Sequence, residues 1–203
     1  MMTPQKGTIF VVAAASGTGK TTLVGRLLAQ DPNIKLSVSH TTRPPRTGEV
    51  HGQHYFFVEK SHFEASIQEK AFLEYAQVYD NYYGTSFEWI NQTLAAGHDV
   101  LLEIDVQGAA QVRQLLPEAV GIFILPPSIE ILAQRLNGRG TDTAEVIAKR
   151  MNNARHEIEQ AQHFDYVVIN NDLEDATADL VSIVRAQRLT QKKQHDFYLE
   201  LLK

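Results

Sequence analysis

The chain has no cysteine. Disulfide staples and thiolate metal sites are therefore excluded, and any core must be held by packing alone. No apolar run approaches the roughly 20 residues that a membrane-spanning helix needs. The first residues, Met1-Met2-Thr3-Pro4-Gln5-Lys6-Gly7, lack the apolar centre of a secretion signal, so a cytoplasmic location is expected. Positive charge is not in excess either. The formal net charge of −5 argues against bulk nucleic-acid binding, and an anion site would have to be a local basic cluster. The eight histidines show no metal-ligand spacing. Internal repeats and low-complexity tracts are also missing.

What is present is an ordinary globular balance, 43% hydrophobic over 203 residues, enough for one domain with inserted parts. Such a composition permits a homo-oligomer without specifying one. Ile9-Phe10-Val11-Val12-Ala13 reads as a buried strand. It runs into Ala14-Ala15-Ser16-Gly17-Thr18-Gly19-Lys20-Thr21-Thr22, and a helix follows over Lys20–Ala29. Strand, glycine-rich turn and helix, with Gly-Lys-Thr at the junction, is the layout of a phosphate-binding loop. The first amides of a helix have no internal partners and sit at the positive end of its dipole, so they can wrap a polyphosphate. Lys20 adds a mobile charge for the β- and γ-phosphates, and the Thr21 hydroxyl can ligate Mg²⁺. Ala14 stands where Gly usually opens the motif. Either the backbone there is ordinary or the loop is mildly strained.

Strand and helix patterns alternate through the chain. Leu36–Ser39 alternates like a strand, and Thr41–His54 reads as a polar loop. His54–Val58 reads as a strand, and Ser61-His62-Phe63-Glu64 as a capping box. Phe72–Tyr79 and Tyr82-Tyr83 read as strands around Asp80-Asn81. Thr85-Ser86-Phe87-Glu88 offers a second capping box. Buried strands follow at Asp99–Ile104, Gly121–Leu125 and Tyr166–Ile169. Helices are expected at Gln107–Leu116, Ile129–Leu136, from the capping box Asp142-Thr143-Ala144-Glu145 onward, and, as the final one, after the cap Asp172. The pattern predicts an α/β fold with a parallel sheet covered on both faces, interrupted by a mixed insert over about 39–95. Arg185, Arg188, Lys192 and Lys193 read as a solvated helix end.

Three groups carry further chemistry. Glu103-Ile104-Asp105 closes a strand at the edge where such sheets bind ligands, so Asp105 either helps hold Mg²⁺ or caps the next helix. Arg43-Pro44-Pro45-Arg46 stiffens two guanidinium groups suited to bidentate phosphate contact. Arg135 and Arg139 stand four apart, with Arg150 on the next helix, around a glycine-bearing turn that suits a lid over phosphates.

Several spaced motifs resemble one family. Val38-Ser39-His40-Thr41-Thr42-Arg43-Pro44-Pro45-Arg46-Thr47-Gly48-Glu49-Val50-His51-Gly52 looks like the monophosphate-binding loop of guanylate kinases. Asn81-Tyr82-Tyr83-Gly84-Thr85, Ile104-Asp105-Val106-Gln107-Gly108 and Arg135-Leu136-Asn137-Gly138-Arg139-Gly140 resemble three further motifs. The resemblance runs from the phosphate loop to the helix after Asp172.

It implies a three-layer P-loop fold. The core would span about 1–38, 96–127 and 160–203, the GMP-binding subdomain about 39–95, and a small helical lid about 128–159. It implies reversible transfer of the ATP γ-phosphoryl group to GMP, giving ADP and GDP in purine nucleotide metabolism, with Mg²⁺ as cofactor. Carried over residue by residue, Ala14 to Thr22 with Arg135 and Arg139 would hold ATP. Arg43, Arg46, Tyr55 and Tyr83 would hold the GMP phosphate, with Glu49 beside them. Glu74 would read guanine, with the hydroxyls of Ser39 and Thr85 near O6 and Asp105 and Glu103 at the same site. Thr21 and Asp105 would organise the metal, and Lys20, Arg43, Arg139 and Arg150 would act in catalysis. Glu103 stands where the family usually has Asp, and Thr85 where Ser is common. Each residue also has a plainer reading: Tyr55 and Tyr83 as strand residues, Glu74 as a solvated carboxylate, Thr85 as a helix cap. Two other functions compete. A catalytically dead binding module would have lost Lys20 or the lid arginines. A phosphate-loop GTPase would carry Asn-Lys-x-Asp where this chain has Asn170-Asn171-Asp172.

Overall fold

A computed structural model of the chain describes residues 6–78, 80–137 and 144–203. In chain order the elements are β1 (Ile9–Ala14), α1 (Lys20–Gln30), β2 (Ile34–Leu36), β3 (His40–Thr41), β4 (Phe56–Phe57), α2 (Lys60–Gln68), β5 (Phe72–Val78), β6 (Asn81–Ser86) and α3 (Phe87–Ala95). There follow β7 (Asp99–Glu103), α4 (Val106–Leu115), β8 (Val120–Leu125), α5 (Ile129–Asn137), α6 (Ala144–Glu159), a 3₁₀ turn (Gln160–His163), β9 (Tyr166–Ile169), α7 (Leu173–Arg188) and α8 (Gln191–Glu200).

Five strands form a parallel sheet in the order β2-β7-β1-β8-β9. Its strands are near-continuous apolar runs because both faces are covered. On one face, Phe10, Val12, Leu101, Ile122 and Ile124 pack with Leu23, Val24 and Leu27 of α1 and Leu180 and Val184 of α7. Each such side chain contributes roughly 1.5–3 kcal/mol on burial. On the other face, Val11, Val100, Leu102 and Phe123 pack with Ile90 and Leu94 of α3 and Ala109 and Val112 of α4. The expected three layers are present.

The chain leaves this sheet after Ser37, whose N–H donates to Leu101. It then builds a second sheet, β4-β3-β6-β5, with both parallel and antiparallel pairs. This is the mixed insert. Phe63, fully buried, stacks between Phe72 and Tyr82 with centroids 4.4 and 5.3 Å away.

Local readings shift in four places. The strand expected at Leu36–Ser39 lies earlier, at Ile34–Leu36, where β7 offers backbone partners. The capping box at Ser61 does not form: α2 starts at Lys60 with Glu59 as its uncapped first position, because burial of Phe63 sets the helix register. Ser86, not Thr85, precedes α3, and Thr85 belongs to β6. α7 is not the last helix, since α8 follows it. The capping residue Asp142 lies outside the described residues, whereas Asp172 does cap α7 through the amides of Glu174 and Asp175.

The basic C-terminal residues are not simply solvated. Arg188 donates from Nε to Asp99 Oδ2 at 2.7 Å and from NH1 to Asp31 Oδ2 at 2.6 Å. Asp99 is 3% exposed, and its other oxygen accepts from the Thr8 amide at 2.6 Å. One guanidinium thus ties α7 to the carboxyl-terminal cap of α1 and the start of β7. Lys193 likewise donates to the carbonyls of Lys6 and Gly7. Arg188→Ala leaves a buried carboxylate short of its cation and should destabilise the fold by roughly 2–4 kcal/mol. Urea unfolding should show a lowered midpoint.

Candidate active site

The phosphate loop lies between β1 and α1 at the carboxyl edge of the parallel sheet, where such sheets bind ligands. Ala14 is the last residue of β1, paired with Ile124. Among the described residues Lys70 is the only non-glycine with positive φ, so the backbone at Ala14 is ordinary and the opening Gly is not needed. Left-handed conformations occur at Gly17 (φ 86°) and Gly19 (φ 92°). Neither could carry a side chain: a Cβ on Gly17 would lie 2.8 Å from Leu136, and one on Gly19 2.6 Å from the Asn170 amide nitrogen.

The loop is braced from outside. Asn170, just past β9 and 6% exposed, donates to the Thr18 carbonyl at 2.7 Å. Arg135 donates to the same carbonyl at 3.1 Å and to the Asn170 carbonyl at 3.4 Å. Glu157 of α6 accepts from the Ser16 amide at 3.1 Å. Ala15 packs with Leu132 and Leu136 of α5 and Ala154 of α6. Thr18 is buried, and Thr22 is exposed on α1.

Lys20 donates to the Ile104 carbonyl at 2.8 Å. Burial lowers its pKa, against the opposing pull of Glu103, Asp105 and Glu157. Thr21 donates to Glu103 Oε1 at 2.5 Å. Asp105 is the N-cap of α4 and accepts from the Gly108 amide at 2.8 Å. The carboxylate touching the loop threonine is therefore Glu103, and the capping reading of Asp105 is realised. Among the described residues no three His, Cys, Asp or Glu side chains cluster as a metal cage.

The arginines and tyrosines expected to act together lie on and beside the mixed sheet. Arg43 donates to Glu49 Oε1 at 2.8 Å, and the Arg46 amide donates to Glu49 Oε2 at 2.6 Å. The Arg43 guanidinium beside it, then the Arg46 amide, hold the Glu49 carboxyl down to about 2. The Arg43 guanidinium lies 5.5 Å from the centroid of Tyr55, and the rings of Tyr55 and Tyr83 are 6.0 Å apart. Tyr83 also hydrogen-bonds Arg43. Arg43, Glu49, Tyr55 and Tyr83 thus share one place, while exposed Arg46 joins it through its backbone amide.

Glu74, 7% exposed, pairs in register with Thr85, whose hydroxyl donates to Glu74 Oε1 at 2.6 Å. α4 approaches closely: a Cβ on Gly108 would sit 3.2 Å from Glu74 Oε2. Burial raises the Glu74 pKa, the Thr85 hydroxyl lowers it, and Asp105 raises it. The plain readings of Glu74 as solvated and Thr85 as a cap therefore do not hold. Ser39 is half-buried and accepts from the Phe56 amide through its carbonyl. Arg150 is half-buried on α6. Arg139 lies outside the described residues.

The sequence reading missed Asn170 and Glu157 as parts of this site. Asn170 had a positional signal, the end of a sheet strand. Glu157 had none, being one of many helix carboxylates.

Fold and site together define a phosphate-loop α/β protein whose parallel sheet is interrupted by a second, mixed sheet. A family model described as guanylate kinase matches residues 6–187. A guanylate kinase from Neisseria gonorrhoeae is 63% identical over 198 residues, covering 98% of this chain and 97% of that protein. One from Aromatoleum aromaticum is 53% identical, covering 96% and 95%. The crystal structure of guanylate kinase from Anaplasma phagocytophilum, 32% identical, superposes with a TM-score of 0.72 over 93% of this chain and 90% of that one. The chain belongs to the guanylate kinase family, whose members are ATP-dependent nucleoside monophosphate kinases.

Two outcomes follow from the geometry. Ala14→Gly should leave phosphorylation of the acceptor within about twofold of wild type in a turnover assay, since no positive φ is at stake. Glu74→Gln tests the buried carboxyl. Its raised pKa means that the folded chain keeps a proton that the unfolded chain has shed, so stability falls as pH rises above the ordinary 4.5. Glutamine cannot ionise. The variant should melt higher than wild type at neutral pH, and the gain should shrink as pH approaches 4.5 in thermal scans.

Proposed function

We propose that this chain transfers the γ-phosphoryl group of ATP to GMP, reversibly giving ADP and GDP, with the residues above in the following roles. The observation that carries the acceptor assignment is the buried Glu74–Thr85 pair at the boundary between the two sheets. Guanine presents N1–H and N2–H₂ as adjacent donors, which match two carboxylate oxygens. Adenine has no such donor pair. Asp105 faces the same space, and the hydroxyls of Ser39 and Thr85 serve O6.

Arg43, Arg46, Tyr55 and Tyr83 hold the GMP phosphate, two cations on a dianion. The amides from Ala14 to Thr22, with Lys20, hold the donor phosphates. Arg135 keeps the loop backbone in place, and Arg139 and Arg150 come from the lid side. The acceptor oxygen is already ionised at neutral pH, so no strong general base is required. The chain's work is to bring donor and acceptor phosphates together and spread the charge of the transferring group over Lys20, Arg43, Arg139 and Arg150. Closure of insert and lid excludes water from the site.

Mg²⁺ is held mostly by nucleotide phosphates and one or two protein oxygens, which fits a site without a protein cage. The Thr21 hydroxyl, which meets Glu103, would supply one, and a carboxylate, Glu103 or Asp105, would supply the other. The ion's contribution is neutralisation of the donor phosphate charge.

The 203 residues are one domain: a core of about 1–38, 96–127 and 160–203, an acceptor subdomain of about 39–95 and a lid of about 128–159. The setting is cytoplasmic purine nucleotide metabolism. No helix among the described residues is long and apolar enough to cross a membrane. The partners are the two nucleotides, not nucleic acid, and a homo-oligomer fits this reading.

A coupled ADP-release assay with ATP and each monophosphate tests it. GMP should exceed AMP by about 10³-fold or more in kcat/KM, because AMP leaves a buried carboxylate unpaired. Glu74→Ala should lose about 100-fold in kcat/KM for GMP with ATP affinity intact. Equal rates with AMP and GMP, or full activity of Glu74→Ala, would overturn the base-reading role.

A further inference from the structure

One amide of the phosphate cradle already holds an anion that belongs to the chain itself. The Ser16 N–H donates to Glu157 Oε2 at 3.1 Å, across 141 residues of sequence. Ser16 sits in the middle of the loop, between β1 and the start of α1. The carboxylate is close enough to Lys20 to oppose the lowering of the lysine's pKa. Its placement is fixed by packing. One turn earlier on α6, Ala154 is fully buried against Ala15, Leu132 and Leu136, and Met151 and Ile158 pack on the same cluster. Glu157 is half-buried at the end of that face.

We infer that Glu157 is an internal competitor for the donor site, a carboxylate that occupies a loop amide until a nucleotide phosphate displaces it. The inference rests on the loop's role as the ATP site. A loop amide cannot give its single N–H fully to two anions, and two anions near Lys20 repel. Donor binding therefore has to push Glu157 off Ser16, which frees the carboxyl-terminal half of α6. Return of Glu157 as the nucleotide leaves assists release. The residue acts by position and charge and touches no reacting atom.

The competing role and a purely structural one predict opposite signs. Binding of ATP in the presence of Mg²⁺ and the absence of GMP would be measured by calorimetry for wild type, Glu157→Gln, Glu157→Ala and Glu159→Gln. Glu159 is exposed on the same helix and stands near His156, so it reports any general effect of lost charge. Competition predicts that Glu157→Ala binds ATP about three- to tenfold more tightly than wild type. Glu157→Gln, which keeps an acceptor without the charge, should fall between them, and Glu159→Gln should match wild type. Under competition, steady-state kinetics should show a lower KM for ATP with kcat unchanged or reduced as product release slows. If both Glu157 variants bound ATP no tighter than wild type, or more weakly, Glu157 would be a structural strut and the inference would be wrong. A wild-type protein that bound no ATP would overturn the donor-site reading and this inference with it.

Discussion

The arrangement depends on one constraint: the first amides of α1 have no partners within the helix and must find acceptors outside it. Everything about the loop serves that requirement. β1 ends at Ala14, the turn passes through two left-handed glycines, and α1 begins at Lys20. The turn would not hold this shape unaided. Asn170 and Arg135 pin the Thr18 carbonyl on the outer side, and α5 and α6 pack on Ala15 and Gly17. The cradle keeps its shape because α5, α6 and the residue that follows β9 all press on it.

The surroundings of Glu74 are built on the opposite principle, a cost accepted in the fold. A carboxylate enclosed between β5, β6 and α4 is penalised by burial, and the nearby Asp105 adds to the penalty. The Thr85 hydroxyl offsets only part of it. Burial and Asp105 both act against its charged form. Glu49 shows the contrasting case: enclosed by the Arg43 guanidinium and the Arg46 amide, its charge is favoured and serves to aim the arginine loop.

The reach of sequence reasoning can be followed through particular residues. The loop, the strand–helix alternation and the mixed insert were legible, because each depends on local periodicity and on glycine, proline and lysine at fixed spacing. Arg43, Tyr55 and Tyr83 were legible as a group only through resemblance to a family, since nothing local says that residues 40 positions apart share a pocket. Asp105 was read both ways, and its capping bond to Gly108 is a matter of a single rotamer. Glu103 was expected with Asp105 at the guanine site, and its contact with Thr21 of the phosphate loop is one that spacing could not show. Arg188 was misread as solvated, because its partners Asp31 and Asp99 lie 157 and 89 residues away. The Ser61 capping box was a correct local pattern that lost to the burial of Phe63.

The sequence by itself determined the order of the elements, the position of the phosphate loop and the chemistry available to it, because hydrophobic period and turn chemistry act over a few residues. Tertiary structure alone decided which charges face one another. Only the assembled sheets place Glu74 in a closed space with Thr85, set Glu103 against Thr21, bring Asn170 under the loop, and lay Glu157 on the Ser16 amide. The reason is physical. Burial and electrostatic pairing are properties of a place in three dimensions, and a chain of residues has no places until it has folded.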